Sequence, residues 1–250
     1  MDAGIAIYNP GQYELLARLK NFSIVEISGE MLEEAEQFGL FPALPGTVLV
    51  RELLPRRIMD DLPDAPPTVC RELLKLFEAR CDFMEKYSIP YATLAVPLGR
   101  MSTDAQYNER MLSLIRCMYG IALRRNVGFR CELRVPENFE NSILLTQKFC
   151  RCCNISTRML IDFHPHEPKG FELLDEAVQY LPFNRDAWRI SFEVASCNYL
   201  SADVVKRVLN LSRPGSCESD YVIFSPGSGA DDENYRQLDL LSGECFNNGR

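Results

Sequence analysis

Histidine is scarce in this chain. Of 250 residues only His164 and His166 are histidines, so imidazole chemistry is confined to one short stretch. A basic excess is also missing. The net charge of −8 argues against nucleic acid as a major partner, because phosphate binding needs a basic surface. It leaves room for a small anionic substrate, which needs only a local arginine or two. No N-terminal apolar stretch looks like a signal peptide, and none anywhere is long enough to span a bilayer, which argues against a membrane role. No Gly-rich turn follows the first strand-like run. Gly227-Ser228-Gly229 is too short and too late for a dinucleotide fingerprint, and there is no P-loop.

Cysteine, by contrast, is plentiful. Ten cysteines without an export signal predict reduced thiols and a cytoplasmic protein. The cluster Cys150-Arg151-Cys152-Cys153 lacks a second, properly spaced ligand pair, and the residues before it read as helix. Free cysteines serving as small buried hydrophobes account for it. A hydrophobic content of 46% and a charged content of 25% are ordinary for a globular chain, and 250 residues suit one full-sized core.

The chain alternates short β-branched or aromatic runs with longer amphipathic ones. Strands are expected over Ala3–Tyr8, Phe22–Ile27, Thr47–Leu53, Tyr91–Val96, Phe129–Val135, Thr157–Asp162, Trp188–Val194 and Tyr221–Phe224. Between them, helical spacing appears over Tyr13–Leu19, Met31–Phe38, Val69–Tyr87, Ala105–Arg125, Asn141–Cys152, Gly170–Tyr180, Ala202–Leu211 and Asn234–Leu241. Ser201 is a candidate helix cap, and Gly128 lies near a helix C-cap. Pro63, Pro66 and Pro67 read as breaking any helix over Arg56–Thr68, leaving a loop across one mouth of the fold. The tail from Ser242 to Arg250 reads as frayed. Eight strands alternating with helices argue for parallel strands joined by right-handed crossovers, and eight such units close into one (β/α)8 TIM barrel over residues 1–250. An open doubly wound sheet is the runner-up.

In such a barrel the chemistry sits at the carboxyl ends of the strands. Read on that expectation, the second strand offers Glu26, and the third offers Glu52, next to Arg51. On the fifth, Arg130, Glu132 and Arg134 share one face. The sixth carries Asp162 and His164, with Pro165 closing it and His166 and Glu167 just beyond. On the seventh, Arg189, Ser191 and Glu193 share a face. Strands buried on both sides usually read as continuous apolar runs, yet several here carry charge at every second position. A polar interior of mutually neutralising arginines and carboxylates explains this. So does a site where carboxylates and an imidazole converge on a divalent cation. The two can coexist at different depths.

Three segments resemble the sugar phosphate isomerase/epimerase, or xylose isomerase-like, barrel family. Phe22-Ser-Ile-Val-Glu26-Ile resembles its second strand. Asn126-Val-Gly-Phe-Arg-Cys-Glu132 resembles the segment that delivers a metal-binding glutamate, and Met159-Leu-Ile-Asp162-Phe-His164 the strand that delivers an aspartate and a histidine. The resemblance implies an isomerase or epimerase acting on a sugar or sugar phosphate through an enediolate. It implies a divalent metal (Mn, Mg, Co or Zn) on Glu132, Asp162 and His164, and acid/base work by Glu132 and Glu193. Arg134, Arg189 and His166 are then the groups for a substrate phosphate or hydroxyl. A homo-oligomer is compatible with it. The chain departs from the family pattern at Pro165, at Ser191 or Phe192 where a histidine is usual, and at the eighth strand, which lacks the last glutamate. Two histidines do not suffice for the related three-zinc endonuclease. The alternative is a degenerate, non-catalytic barrel that binds a small polyol or a protein partner.

Overall fold

A computed structural model describes residues 2–37, 39, 41, 46–95, 103–134, 158–163, 172, 185–191, 200–212 and 221–246. Eight parallel strands form a closed barrel, each hydrogen-bonded to the next in chain order and the last to the first. They are β1 (Asp2–Ala6), β2 (Ile24–Ser28), β3 (Thr47–Arg51), β4 (Tyr91–Ala95), β5 (Gly128–Arg134), β6 (Arg158–Phe163), β7 (Arg185–Ser191) and β8 (Tyr221–Ser225). The helices among the described residues are α1 (Tyr13–Leu16), α2 (Leu32–Gln37), α3 (Arg56–Asp61), α4 (Pro67–Lys86), α5 (Ala105–Arg124), α6 (Ala202–Ser212) and α7 (Asp232–Phe246).

Alternation along each strand sorts the apolar residues into two cores. Ile5, Val25, Ile27, Val50, Ala92, Leu94, Val222 and Phe224 face outward and pack under the helices. The long helices answer with stripes at helical spacing: Phe77, Cys81 and Met84 from α4, and Tyr107, Met111, Ile115, Met118 and Ala122 from α5. The opposite parity gives a much smaller inner cluster of Ala6, Ile24, Leu49, Tyr221 and Ile223. Gly4 stands in that inner layer. A Cβ there would come within 2.3 Å of Ile223 Cδ1 and 2.9 Å of Ile24 Cβ, so only glycine lets the inner side chains meet.

Four expectations need correction. The stretch Arg56–Thr68 is not a loop. Its prolines start helices instead of breaking them: Pro55 precedes α3, and Pro67 is the first residue of α4, where a missing N–H costs nothing. Leu62–Asp64 adds a turn of 3-10 helix between them. Gly128 opens β5 and is not a cap. The chain leaves α5 through Asn126, which takes the left-handed conformation (φ 55°) that asparagine tolerates. Strand β7 begins at Arg185, three residues before the apolar run suggested, because its pairing starts opposite Met159; residues 192–194 of the expected strand lie outside the described residues. The tail from Ser242 is helical to Phe246: Ser242 is fully buried and its hydroxyl donates to the Asn21 carbonyl. Ser201 does cap α6, its hydroxyl accepting from Val204 N–H at 3.4 Å. The helices expected over 141–152 and 170–180, and the cysteine cluster at 150–153, lie outside the described residues apart from Glu172. Cys70, Cys81, Cys117 and Cys245 form no disulfide.

Candidate active site

The carboxyl ends of the strands gather polar side chains on the inner face. Arg51 is the last residue of β3, paired in register with Ser28 of β2. Glu132 is level with Ala95 of β4, and Thr93 with Arg130, so Thr93 and Glu132 occupy successive inner positions on adjacent strands. The Arg51 guanidinium grips Glu132 with both of its forks: Nη2 donates to Oε1 at 2.8 Å and Nε to Oε2 at 3.3 Å. Thr93 Oγ1 donates to the same Oε2 at 3.3 Å and accepts from Glu52 N–H at 2.8 Å. Side-chain exposure is 8% for Glu132 and 24% for Arg51, so the arginine is the solvent-facing partner. A nearly buried carboxylate requires such a cation, and bidentate geometry fixes its orientation as well as its charge.

The local backbone is built to hold this pair. Past Arg51 the chain turns sharply, with Glu52 in the left-handed region at φ 47°. The turn is pinned by Leu53 N–H on the Thr93 carbonyl at 3.0 Å and by the buried Arg80, whose Nη1 donates to the Leu53 carbonyl at 2.7 Å. Gly29, just after β2, makes room. A Cβ on it would fall 2.6 Å from the Glu52 carbonyl oxygen and 2.7 Å from that of Leu53. The expectation that β3 presents Glu52 inward is therefore corrected. The strand ends two residues earlier than expected, Arg51 takes the inner position, and Glu52 lies in the turn with its carboxylate 3.9 Å from Arg51. The signal for Arg51 was in the sequence: it continues the parity of Thr47 and Leu49.

Across the mouth, the Tyr8 hydroxyl bonds Ser225 Oγ at the end of β8. Gln12 Oε1 accepts from Tyr8 N–H at 2.8 Å and from Asn9 N–H at 3.3 Å, fixing the loop after β1. Beneath it the Tyr235 hydroxyl donates to the Ala6 carbonyl at 3.1 Å; burial, and then the neighbouring Tyr8, push that phenol well above its ordinary range. Glu26 occupies an inner position level with Ala6 and Leu49 and is 2% exposed.

Of the residues singled out from sequence, Glu132 is placed with its side chain. Arg134, Asp162 and Arg189 are placed by register: they stand level with one another on β5, β6 and β7, two residues beyond the level of Glu132 toward the carboxyl end. Ser191 and Ser225 pair at the ends of β7 and β8. His164, His166 and Glu193 lie outside the described residues. Among the described residues no three of His, Cys, Asp and Glu come together as a metal ion requires. The one ligand candidate whose side chain is described, Glu132, has both oxygens on Arg51 and does not fit a cation as it stands. A dication on the same carboxylate would stand beside the guanidinium, and the two positive charges would repel each other.

This is the inner mouth of a xylose isomerase-like barrel: a closed parallel barrel with its polar groups at the strands' carboxyl ends. Solved structures of that class align with the chain over almost its whole length. A D-psicose 3-epimerase with D-tagatose from Clostridium cellulolyticum H10 aligns at TM-score 0.60 and 14% identity, covering 100% of this chain and 98% of its own. A xylose isomerase domain protein from Alicyclobacillus acidocaldarius aligns at 0.63 and 15%, covering 98% and 96%. An IolI protein with a bound zinc atom aligns at 0.61 and 10%, covering 99% of each. At these identities the likeness is one of fold. No family model and no curated protein matches the sequence.

Proposed function

We propose that residues 1–250 form one barrel domain that acts as an isomerase or epimerase on a small carbohydrate, free or phosphorylated, with Glu132 as the carboxylate that moves the proton. The observation that carries this reading is Glu132 itself. It is nearly buried at the catalytic end of the barrel and held in one orientation by Arg51 and Thr93. A base that abstracts a proton beside a carbonyl needs this kind of fixed geometry. The D-psicose 3-epimerase among the neighbours supports the substrate class. Asp162, Arg134 and Arg189, one level nearer the mouth, are the groups we assign to substrate hydroxyls or phosphate, with His166 beyond them and Glu193 as a second acid/base group. The divalent metal that the resemblance implies on Glu132, Asp162 and His164 does not fit the occupied Glu132, and no step here passes through it.

Proton NMR in D2O tests the reading directly. Ketopentoses, ketohexoses and their phosphates are expected to exchange the hydrogen beside the carbonyl for deuterium. Glu132→Gln is expected to slow that exchange by about a hundredfold or more. Exchange that survives the substitution removes Glu132 from the chemistry. A second reading, a non-catalytic polyol-binding barrel, is favoured by Ser191 and Ser225, neutral residues at strand ends where the resemblance places a histidine and a glutamate. It expects saturable binding of a sugar without exchange.

A further inference from the structure

We infer that Arg51 serves as the site's resident cation, holding the place on Glu132 that a divalent metal would otherwise take, so that the chemistry proposed above is metal-independent. The inference rests on that proposal for its reaction step, and on geometry alone for its claim about binding. Glu132 presents two oxygens, and both accept from Arg51. The guanidinium cannot give up its charge at any pH the protein experiences, so its grip is permanent, unlike that of a lysine or histidine. It is also held from behind, because Arg51 is the last residue of a barrel strand and the turn that follows is fixed by Thr93, Arg80 and Gly29.

Arg51 is the more exposed partner of the pair, so a substrate oxygen arriving from solvent meets the guanidinium before it meets Glu132. In an aldose–ketose isomerisation the steps balance without any other reagent. Glu132 takes the proton from the carbon beside the carbonyl, and the C–H electron pair forms the C=C bond of an enediolate. The carbonyl π pair moves onto oxygen, where Arg51 N–H groups stabilise it. The proton then returns to the neighbouring carbon as the hydroxyl proton passes between the two oxygens. A planar donor aimed at the developing oxyanion is worth about a hundredfold to a thousandfold in rate.

The test uses the full chain, freed of metal by chelator and gel filtration. Mn2+ and Co2+ are titrated separately while thermal melting is followed, and deuterium exchange is measured with and without EDTA. A melting temperature unchanged within about 1 °C, where tight binding at a large excess over Kd would shift it several degrees, supports the inference. So does exchange that proceeds equally in EDTA. Arg51→Met is expected to lose about a hundredfold in exchange rate, with no recovery on adding metal, and Arg51→Lys to fall between. A saturable metal-induced rise in melting temperature that disappears in Glu132→Gln overturns the inference. Exchange that stops in EDTA and returns with Mn2+ does the same while leaving the isomerase reading intact. If no carbohydrate exchanges at all, the isomerase reading fails, and the metal titration still decides what sits on Glu132. Should Arg51→Met not fold, Arg51→Lys and the parent titrations suffice.

Discussion

The same strands show two different chemistries on their two faces. Outward, Ile5, Val25, Ile27, Val50, Leu94, Val222 and Phe224 are all apolar and buried beneath helices. Inward, the deep layer is apolar and small, and at the carboxyl end it gives way to Glu26, Arg51, Thr93, Glu132 and Ser225. The outer layer excludes water on both sides, so an unpaired charge there has nothing to compensate it. The inner layer narrows onto a mouth where charges can pair across strands and still reach a ligand. Stability should therefore depend mostly on the outer face and function on the inner one.

The largest effect that could break this division lies in the outer layer. Phe77 is fully buried on α4 within the outer core. Phe77→Ala is expected to cost about 3–5 kcal/mol of unfolding free energy in urea titration. A cost below about 1 kcal/mol would mean that the helices are not bound to the barrel through this layer.

The next effect lies on the inner face. Arg51→Met leaves the Glu132 carboxylate nearly buried without its bidentate partner. Because Arg51 is itself a quarter exposed, the expected loss is discounted from the fully buried case to about 2 kcal/mol. The double variant Arg51→Met, Glu132→Met should be more stable than the single Arg51→Met, since it also removes the charge that Arg51 offsets. If instead the two losses add, the pair is not coupled and the structural reading of the site is wrong.

Titration separates the two layers in another way. Burial, and after it Asp82, pushes the Cys81 thiol up to about 12 from 9.0, with Arg125 working the other way. The folded value lies above the unfolded one. The contribution is therefore complete below pH 9 and is lost as pH rises through the window from 9 to 12. At pH 10 the parent protein should be about 1 kcal/mol less stable than at pH 8 from this group. In Cys81→Ala that part of the slope should vanish. Tyr13, raised to about 12 chiefly by its burial and then by Glu34, adds a further loss above pH 10. Identical alkaline profiles for parent and Cys81→Ala would show that the thiol is not in the dry layer.

The outer layer was the more legible of the two faces. Helical spacing over Val69–Tyr87 and Ala105–Arg125, and the apolar parity of the strands, are one-body properties of the sequence, and they pointed to the barrel. Charge at alternate positions of the fifth strand also pointed to a polar inner face, where Glu132 is found; the side chains of the seventh lie outside the described residues. That Arg51 pairs with Glu132 was not legible: it comes from 81 residues away, and the pairing depends on where β3 ends. Prolines misled for a related reason: Pro67 reads as a breaker unless one knows that the helix begins with it.

The smallest effect expected is at Tyr8, whose hydroxyl bonds Ser225 across the first and last strands. Tyr8→Phe keeps the ring, which packs against the inner cluster, and removes only the oxygen. A single partly buried hydrogen bond contributes about 1 kcal/mol, so the denaturant midpoint should barely move. If the inner mouth is where a carbohydrate sits, the same change should weaken its binding by about five- to tenfold, because the tyrosine oxygen is lost and the Ser225 hydroxyl loses the partner that orders it. Calorimetric titration of a ketose that exchanges deuterium would read this. A variant that loses as much stability as Phe77→Ala would place the Tyr8–Ser225 contact among the groups that close the barrel, and the division between the two faces would no longer hold at that point of the mouth.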